Sequence, residues 1–578
     1  MTTRHRVGLL LCGVTLYGCF FGLTQTAPGM FVSFQPPWTQ VSPGEAYLWL
    51  GTLLLALPGA CLMGVALAPW MVRALAAVSA RVERMTPTEQ RMGAVMGACL
   101  AFGLARVGHA FFLRDFPFTD DEWAARFGGQ VLALGKVALP RPAQVAAFPD
   151  LFLYGHGGQW AGLDWLGVQL AWATAELTGL GPAVFALAAA LGVLGVMGWG
   201  ARRHGPTGAL LAAALYLASP MVELLSFTTH AHVLSRAGLA LGLWAFVVAM
   251  DKRTGRAWFW TGLALGGAAM TRPFEIVALT APLIITEVVS AVRRKEAGRM
   301  VGGLALGLAI PLVATVIHAV VVTGGIIPPR LASNNEVIHP YLSYFKGVWS
   351  PERFWERFGA NFSYNLVMLA LWFLGPVGLL LVASGWVLDP LSRRLGWGVV
   401  ASLAVALIHD DHGLHMVGPI HYSDAAVPLT FMAVAGTVKV LALLRERALP
   451  TTALVGALCL SLFLAMGTFT VWNGLALRRQ AEIHEQLYSV VDDPALEDAV
   501  VLAPKYGQVW LSFPRFKQQG SFVFEWRRPR PDLSDRVLVV HDGPGVEAAL
   551  RALMPERRFY RLRRDAAGQV GLTALTPG

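Results

Sequence analysis

The sequence predicts a mainly α-helical protein that crosses a membrane many times and ends in a small α/β domain. Of its 578 residues, 55% are hydrophobic and only 14% are charged, whereas soluble proteins carry about 25% charged residues. Long apolar stretches recur along the chain, and the charged residues collect in short clusters between them. The segment from residue 474 to the end is polar and has a strand and helix pattern of its own.

About thirteen segments are predicted to span the membrane, because a helix needs about 20 apolar residues to cross the hydrocarbon core. The segments 257–270 and 396–409 are the shortest, and 164–179 is short enough to be a re-entrant or interfacial helix. The predicted spans are 7–26, 47–71, 92–112, 181–200, 206–225, 233–250, 257–270, 274–292, 300–322, 363–386, 396–409, 426–444 and 451–473.

The basic residues predict how the chain is oriented in the membrane. Arg4 and Arg6 precede the first span, and further Arg and Lys clusters, such as the one at 293–295, occupy alternate connections. By the positive-inside rule these connections are cytoplasmic. The amino terminus is therefore expected in the cytoplasm of a bacterial inner membrane. The first span is expected to be an anchor, since GLTQTAPGM has no convincing signal-peptide cleavage pattern. The predicted outward parts are the loops 113–165, 323–362 and 410–425 and the periplasmic tail 474–578.

The net charge of +10 is explained by these topological clusters. No basic stripe is interleaved with aromatic residues, so nucleic acid is not an expected partner. The five cysteines all fall in apolar segments without metal-ligand spacing. They are interpreted as small buried hydrophobic residues, and disulfides are not expected.

The first outward loop contains three consecutive carboxylates, Asp120, Asp121 and Glu122, shortly after a predicted span. Asp120 or Asp121 is expected to cap the helix that follows. A carboxylate held at the water–lipid boundary on a rigid helix start is also well placed to act as a general base on a hydroxyl or amine. Spacing alone leaves both interpretations open.

Apolar residues recur at helical spacing after these carboxylates: Trp123, Phe127, Val131 and Leu134. They predict an amphipathic helix that can lie on the membrane surface.

The segment FTDDEWAARFGGQVLALGK resembles the start of the first large outward loop in the GT-C superfamily of membrane glycosyltransferases. This superfamily includes the protein O-mannosyltransferases and the aminoarabinose transferases of lipid A. Its members carry an acidic pair followed by an aromatic residue and an amphipathic helix, and Asp121 and Glu122 stand at the pair. The segments GLALGGAAMTRPFEIVALTAPL, NFSYNLVMLALWFLGPVGLLLV and GPIHYSDAAVP resemble later family segments in the same order.

Two departures from the family pattern are visible. About two extra spans precede the first large loop, where the family usually has one, and Ile420 stands where arginine is usual. The resemblance covers 92–445 and implies three regions. These are N-terminal extra transmembrane helices at 1–91, a transmembrane catalytic module at 92–473, and a soluble α/β domain at 474–578.

The resemblance implies transfer of one sugar, with inversion, from a polyprenyl-phosphate carrier to an extracytoplasmic glycolipid, polysaccharide or protein. Asp121 would be the general base, Glu122 would orient the acceptor or position Asp121, and Asp120 is the next acid. A cation is needed near the departing phosphate. The residues expected to bind phosphate or substrate are Arg272, Arg330, Lys346, His415, His421 and Tyr422. Arg272, which precedes Pro273, fits equally well a role in capping carbonyls or contacting a phospholipid.

Histidines are concentrated in HDDHGLHMVGPIH, in the third outward loop. Such a cluster can ligate a divalent metal, but no two of its members match a known motif, so neither a metal nor another cofactor is expected. His230 and His232, in SFTTHAHVL, are also outward and can line the same cavity.

The sequence also allows two other functional classes. A coupled transporter usually places ionisable groups near the membrane midplane, whereas the acids here stand at the outer boundary. A non-catalytic scaffold of envelope polysaccharide assembly would use the tail to bind a partner.

The predicted strands of the tail are VVLAP, RVLVVHD and RFYRL, with VEAALRALM as a helix between two of them. The tail is expected to aid acceptor recognition or stability. Loss of Asp121 distinguishes an enzyme from a scaffold, because it should abolish the activity of an enzyme but leave a scaffold assembled.

Overall fold

A computed structural model describes residues 1–26, 50–117, 119–142, 147–148, 153–154, 158–332, 369, 372–407, 414–415, 418–449, 451–504, 529–564 and 570–576. Lys346 and most of the predicted loop 323–362 lie outside these ranges. Within them the chain is mainly helical, and every predicted span coincides at least in part with an α-helix.

The first seven α-helices include the predicted amphipathic helix, which is α4. They are α1 Thr3–Thr26, α2 Leu57–Glu83 (preceded by a π-helical turn at Thr52–Ala56), α3 Pro87–Phe112, α4 Asp120–Ala133, α5 Leu166–Thr178, α6 Ala183–Leu217 and α7 Pro220–Ser226.

The remaining helices of the membrane region, with one short helix before β8, follow in chain order. They are α8 Ala231–Lys252, α9 Gly255–Ala269, α10 Pro273–Arg293, α11 Ala297–Thr323, α12 Pro329–Ala332, α13 Gly375–Leu388, α14 Pro390–Leu407, α15 Ala426–Glu446, α16 Thr451–Val491 and α17 Val546–Leu553; a 3₁₀ turn at Ile420–Ala425 leads into α15.

Local sequence explains several helix starts. α3 begins with a capping box, in which the Thr86 N–H donates to the Glu89 carboxylate at 2.7 Å and the Glu89 N–H donates to the Thr86 hydroxyl at 3.3 Å. The predicted spans 181–200 and 206–225 are joined within α6 by a bend. Gly205 has φ 72° and ψ −171° there, a conformation that glycine adopts readily, and Pro206 follows it.

Within the described ranges, eight helices are long and apolar enough to cross a membrane. α9, with 15 residues, is shorter than a usual span, and the predicted span 363–386 lies partly outside the described residues. The exact number of spans therefore stays a prediction. Apolar side chains such as Leu306 and Ile317 are exposed along α11, as expected of helices whose outer surface meets lipid. The chain is a multi-pass membrane protein.

The cysteines differ from the interpretation that all five are buried. All are free, and Cys12, Cys19 and Cys99 are exposed on helix surfaces. Lipid tails are as apolar as a protein core, so an apolar segment does not show which of its residues face the interior.

Short strands flank the helices of the first outward loop. β1 Leu139–Pro140, β2 Leu153–Tyr154 and β3 Gln159–Gly162 form an antiparallel sheet in the order β1-β3-β2. In the third predicted outward loop, β4 Leu414–His415 and β5 Gly418–Pro419 pair just before the 3₁₀ turn. The stretch predicted as re-entrant or interfacial contains α5, whose Trp172 is buried against Phe185.

The C-terminal region forms a four-stranded sheet from β6 Ala499–Ala503, β7 Val537–His541, β8 Arg558–Arg564 and β9 Val570–Leu575, in the order β7-β6-β8-β9. β6 is parallel to β7 and β8, and β9 is antiparallel to β8. The three predicted strands and the predicted helix, α17, are present. β9 was missed because it is an edge strand whose glycine and alanine give little β-strand signal.

The expectation that α4 lies on the membrane surface is wrong for most of its apolar face. Trp123, Phe127 and Val131 are 6%, 1% and 1% exposed. They belong to continuous apolar clusters that also contain residues of the C-terminal sheet, such as Val500 and Val501. An apolar helix face can be covered by lipid or by an apolar protein surface, and the sequence pattern is the same in both cases.

Candidate active site

One cavity collects side chains from six separate parts of the chain, all of them predicted to lie on the outer side of the membrane. These parts are the start of α4, the β3–α5 turn, the α7–α8 and α9–α10 connections, α12 and the 3₁₀ turn before α15. Among its lining residues are Asp121, Glu122, Asp164, Trp165, Thr229, His230, His232, Arg272, Phe274, Glu275, Arg330, Ile420 and His421.

The residue that caps α4 is Thr119. The expectation that Asp120 or Asp121 caps this helix is wrong, because the helix begins at Asp120 itself and the Glu122 carboxylate accepts the Thr119 N–H at 3.0 Å. The side chain of Asp120 is outside the described part of the structure. Since Thr119 and Glu122 complete the helix start, Asp121 is not needed as a cap.

Glu122 is fixed by hydrogen bonds on both carboxylate oxygens. Oε1 accepts the backbone N–H of Thr229 at 2.6 Å and its hydroxyl at 2.7 Å, and Oε2 accepts the Thr119 N–H. His230 Nε2 lies 3.8 Å from Oε2 and forms a hydrogen bond with the Thr119 hydroxyl at 3.2 Å. The carboxylate therefore ties the start of α4 to the connection before α8, and its side chain is fully buried.

Asp121 is placed differently from its neighbour. Its side chain is 29% exposed, and Oδ1 lies 3.8 Å from Arg330 Nη1. Within the described residues, Oδ1 is buried and accepts no hydrogen bond. Asp121 also lines the cavity, so its carboxylate, which has a nearby cation and one oxygen without a donor, is available to a ligand.

Asp164 shares the same cation, since its Oδ1 lies 4.0 Å from Arg330 Nη1. Burial raises the pKa of Asp164 above its ordinary value, and the nearby Asp121 carboxylate adds to this increase, while the Arg330 guanidinium opposes it. Arg330 thus stands between two carboxylates from distant parts of the chain. No sequence motif surrounds Asp164, so it was not among the predicted site residues.

Arg272 lies at the N-cap of α10 and is held by two carboxylates. It forms an ion pair with Glu275, and its Nε lies 3.1 Å from Asp424 Oδ2. Asp424 is buried and accepts the Ser235 hydroxyl at 2.5 Å. These contacts fix the orientation of the Arg272 guanidinium at the cavity wall. Both acids were missed, because carboxylates at a helix start are common for capping reasons alone.

The predicted histidines are only partly brought together. His421 lines the cavity, as do His230 and His232. The side chain of His415 lies outside the described residues. Tyr422 does not line the cavity but is 2% exposed in the protein interior, because successive residues of the 3₁₀ turn point in different directions. Its predicted place at the cavity is therefore wrong.

In the described part of the chain, no group of three or more His, Cys, Asp or Glu residues is arranged to hold a metal ion. The residues 408–413, which include several of the clustered histidines and aspartates, lie outside that part.

The arrangement combines a carboxylate that can accept a proton with cations that can bind an anion. Asp121 faces the cavity with one oxygen free of hydrogen bonds in the described structure, and Arg272 and Arg330 line the same walls. Acid–base chemistry on a substrate that carries a negatively charged leaving group suits this set of residues.

Comparison with known proteins gives one family match. The model of the dolichyl-phosphate-mannose-protein mannosyltransferase family matches residues 178–318, which contain α6 to α10 and most of α11. No curated protein sequence matches the chain significantly.

Two solved structures illustrate the structural similarities. ArnT from Cupriavidus metallidurans bound to undecaprenyl phosphate is 14% identical, with a TM-score of 0.46 over 84% of this chain and 99% of that one. The oligosaccharyltransferase of Archaeoglobus fulgidus, tethered to an acceptor peptide, is 14% identical, with a TM-score of 0.40 over 69% of this chain and 57% of that one. The match to the mannosyltransferase model confirms the resemblance of this chain to the membrane glycosyltransferases of the GT-C superfamily.

Proposed function

We propose that this protein is a glycosyltransferase of a bacterial inner membrane. It takes a single sugar from a polyprenyl-phosphate-sugar donor and transfers it, with inversion, to a glycolipid, polysaccharide or protein acceptor on the periplasmic side. The observation that carries the proposal is the position of Asp121. Asp121 lines a cavity that also contains Arg272 and Arg330, so a base and candidate phosphate-binding cations line one space.

The family match supports the donor class. The matched family is described by its use of dolichyl-phosphate-mannose, a sugar on a polyprenyl-type phosphate. A donor of this kind carries an anionic phosphate at the membrane boundary and a long apolar chain within the lipid. The exposed apolar surface of the helices suits the apolar chain of the donor, and the cavity suits its phosphate.

In the proposed reaction, Asp121 accepts the proton of the acceptor hydroxyl as the acceptor oxygen attacks the anomeric carbon of the sugar. A new bond forms between that oxygen and the carbon, and the bond between the carbon and the phosphate oxygen breaks. Its electron pair stays on the phosphate, which leaves as polyprenyl phosphate. Attack from the face opposite the phosphate inverts the anomeric configuration.

The cations have separate roles in this proposal. Arg272, which Asp424 and Glu275 hold at the wall, stabilises the charge that develops on the departing phosphate. Arg330 lies beside Asp121 and places a positive charge next to the proposed base. Glu122 acts through Thr119 and Thr229 as a positioning residue.

The proposed function is tested with purified protein in nanodiscs. A panel of undecaprenyl-phosphate sugars is offered together with an extract of periplasmic glycolipids and polysaccharides, and release of undecaprenyl phosphate is measured. At least one donor should release undecaprenyl phosphate in an acceptor-dependent manner, and the product should have the opposite anomeric configuration by NMR. Movement of an intact lipid-linked sugar across the bilayer without bond cleavage would instead indicate a transporter.

A further inference from the structure

His232 is a buried histidine at the cavity that the proposed reaction does not yet use. It is 4% exposed and lines the cavity wall. Among the residues that the structure describes, neither Nδ1 nor Nε2 of its ring has a hydrogen-bond partner. A buried imidazole without partners is costly, so a ligand that supplies them is the simplest reason for its position.

The second observation is the helix on which His232 stands. α8 is 22 residues long, and its N-cap is His230, so His232 is the second residue of its first turn. The first N–H groups of a helix have no partner within the helix, and the helix dipole places partial positive charge there. Ala231 and His232 both line the cavity, so this end of α8 is directed at the enclosed space.

The cations near His232 favour an anionic ligand, although four carboxylates also line the cavity. His230 stacks edge to face with it, with ring centroids 5.6 Å apart, and Arg272 and His421 line the same cavity. A helix N-terminus, a guanidinium and imidazole N–H groups together favour an anion with several acceptor oxygens, and phosphate binds at such helix ends.

We propose that His232 and the first turn of α8, together with Arg272, bind the phosphate of a polyprenyl phosphate. This inference rests on the proposed function and adds a residue to it. His232 donates a ring N–H to a phosphate oxygen, and α8 contributes backbone N–H groups.

His318 provides a matched control. It is a histidine of α11 that is 6% exposed, and in the described structure its Nε2 also has no hydrogen-bond partner. It does not line the cavity. The same substitution at the two positions therefore removes an equally buried imidazole, once inside the proposed site and once outside it.

The experiment measures binding of undecaprenyl phosphate and of undecaprenol to the full-length protein in nanodiscs, with no sugar present. Wild type should bind undecaprenyl phosphate well and undecaprenol much more weakly. His232→Leu should weaken the binding of undecaprenyl phosphate about tenfold or more, as expected for a lost hydrogen bond to a charged group. His232→Asn, which keeps an N–H donor, should have an intermediate affinity, and His318→Leu should bind like wild type.

Stability without ligand distinguishes binding from a structural role. His232→Leu should unfold at the same temperature as wild type or higher, because it removes unpaired buried polar atoms. A large fall in the unfolding temperature of both His232 variants, with equal loss of binding, would mean that the histidine is structural. Wild-type affinity in His232→Leu would overturn the inference and leave the proposed function standing. Failure of wild type to prefer undecaprenyl phosphate over undecaprenol would instead overturn the proposed donor class.

Discussion

The carboxylate of Glu122 accepts both the backbone N–H and the hydroxyl of Thr229, at 2.6 and 2.7 Å. These bonds assign different tasks to two adjacent acids. Glu122 is fully buried and joins the start of α4 to the connection before α8. Asp121 points into the cavity towards Arg330. The pair thus combines one acid that holds the site together with one that can react.

The first prediction concerns this structural role. Glu122→Ala should lower the free energy of unfolding by about 3 kcal/mol or more, since hydrogen bonds to a buried charged group contribute about 1.5–3 kcal/mol each. Thermal unfolding in detergent measures the change. Glu122→Gln keeps one acceptor oxygen and should lose less. A stability equal to wild type in Glu122→Ala would contradict the positioning role.

The second prediction concerns the pH dependence of stability. Burial raises the pKa of Asp164, so the folded protein holds this proton more tightly than the unfolded chain does. The folded state therefore loses stability as the pH rises from the ordinary value of the group through its raised pKa. Asp164→Asn removes this loss, and its stability relative to wild type should increase with pH across that window. Unfolding temperatures from pH 4 to 8 measure the difference; a difference that is flat or falls with pH would show that Asp164 is not desolvated.

The third prediction concerns Arg330, whose guanidinium lowers the pKa of Asp164 against the effect of burial. In Arg330→Gln, Asp164 loses this cation and should take up a proton at higher pH, next to the proposed base. The ascending limb of the pH–rate profile should therefore move to higher pH. Arg81→Gln is the control, because Arg81 is an exposed residue that pairs with Glu89. Identical pH–rate profiles in wild type and Arg330→Gln would mean that the contact between Arg330 and the cavity carboxylates does not matter for catalysis.

The fourth prediction concerns the packing of α4. Phe127 is 1% exposed and contacts Trp160, with ring centroids 4.7 Å apart. Phe127→Ala should lower the free energy of unfolding by about 3–5 kcal/mol. Leu134→Ala, at a position that is 43% exposed, should change it by less than about 0.5 kcal/mol. Equal effects at the two positions would mean that the buried face of α4 is covered by lipid and not by protein.

The fifth prediction concerns orientation. With the native cysteines replaced, Lys295→Cys should not react with an impermeant thiol reagent in intact cells, because its Arg-rich connection is predicted to be cytoplasmic. Ser534→Cys, which is exposed in the C-terminal region, should react once the outer membrane is permeabilised. The reverse pattern would invert the topology.

The sequence predicts the helices well because the bilayer requires long apolar runs, and these are visible without any tertiary information. The strands of the tail are predicted for a similar reason, since apolar runs such as VVLAP form buried strands. The covering of α4 is not predicted, because lipid and protein satisfy the same apolar pattern. Tyr422 is misplaced because a loop sequence does not show which way each side chain points.

The site is predicted where a local pattern marks it. Asp121 and Glu122 are adjacent and follow a span, and Arg272 precedes a proline at a helix start. Asp164 and Asp424 are single acids without a pattern, and only the folded chain places them beside Arg330 and Arg272. Contacts between residues that are far apart in the chain decide which of many similar side chains share one cavity.

The most direct test of the proposed function is the rate of sugar transfer by Asp121→Asn. This substitution keeps the size of the side chain and its ability to accept hydrogen bonds, but it removes the basic oxygen that faces the cavity. Purified variant and wild type are compared with the same polyprenyl-phosphate sugar and acceptor, after thermal unfolding has shown that both are folded. Transfer should fall by about a hundredfold or more, the usual scale for a lost general base, while undecaprenyl phosphate still binds. Near-normal transfer by Asp121→Asn would contradict the assignment of Asp121 as the base.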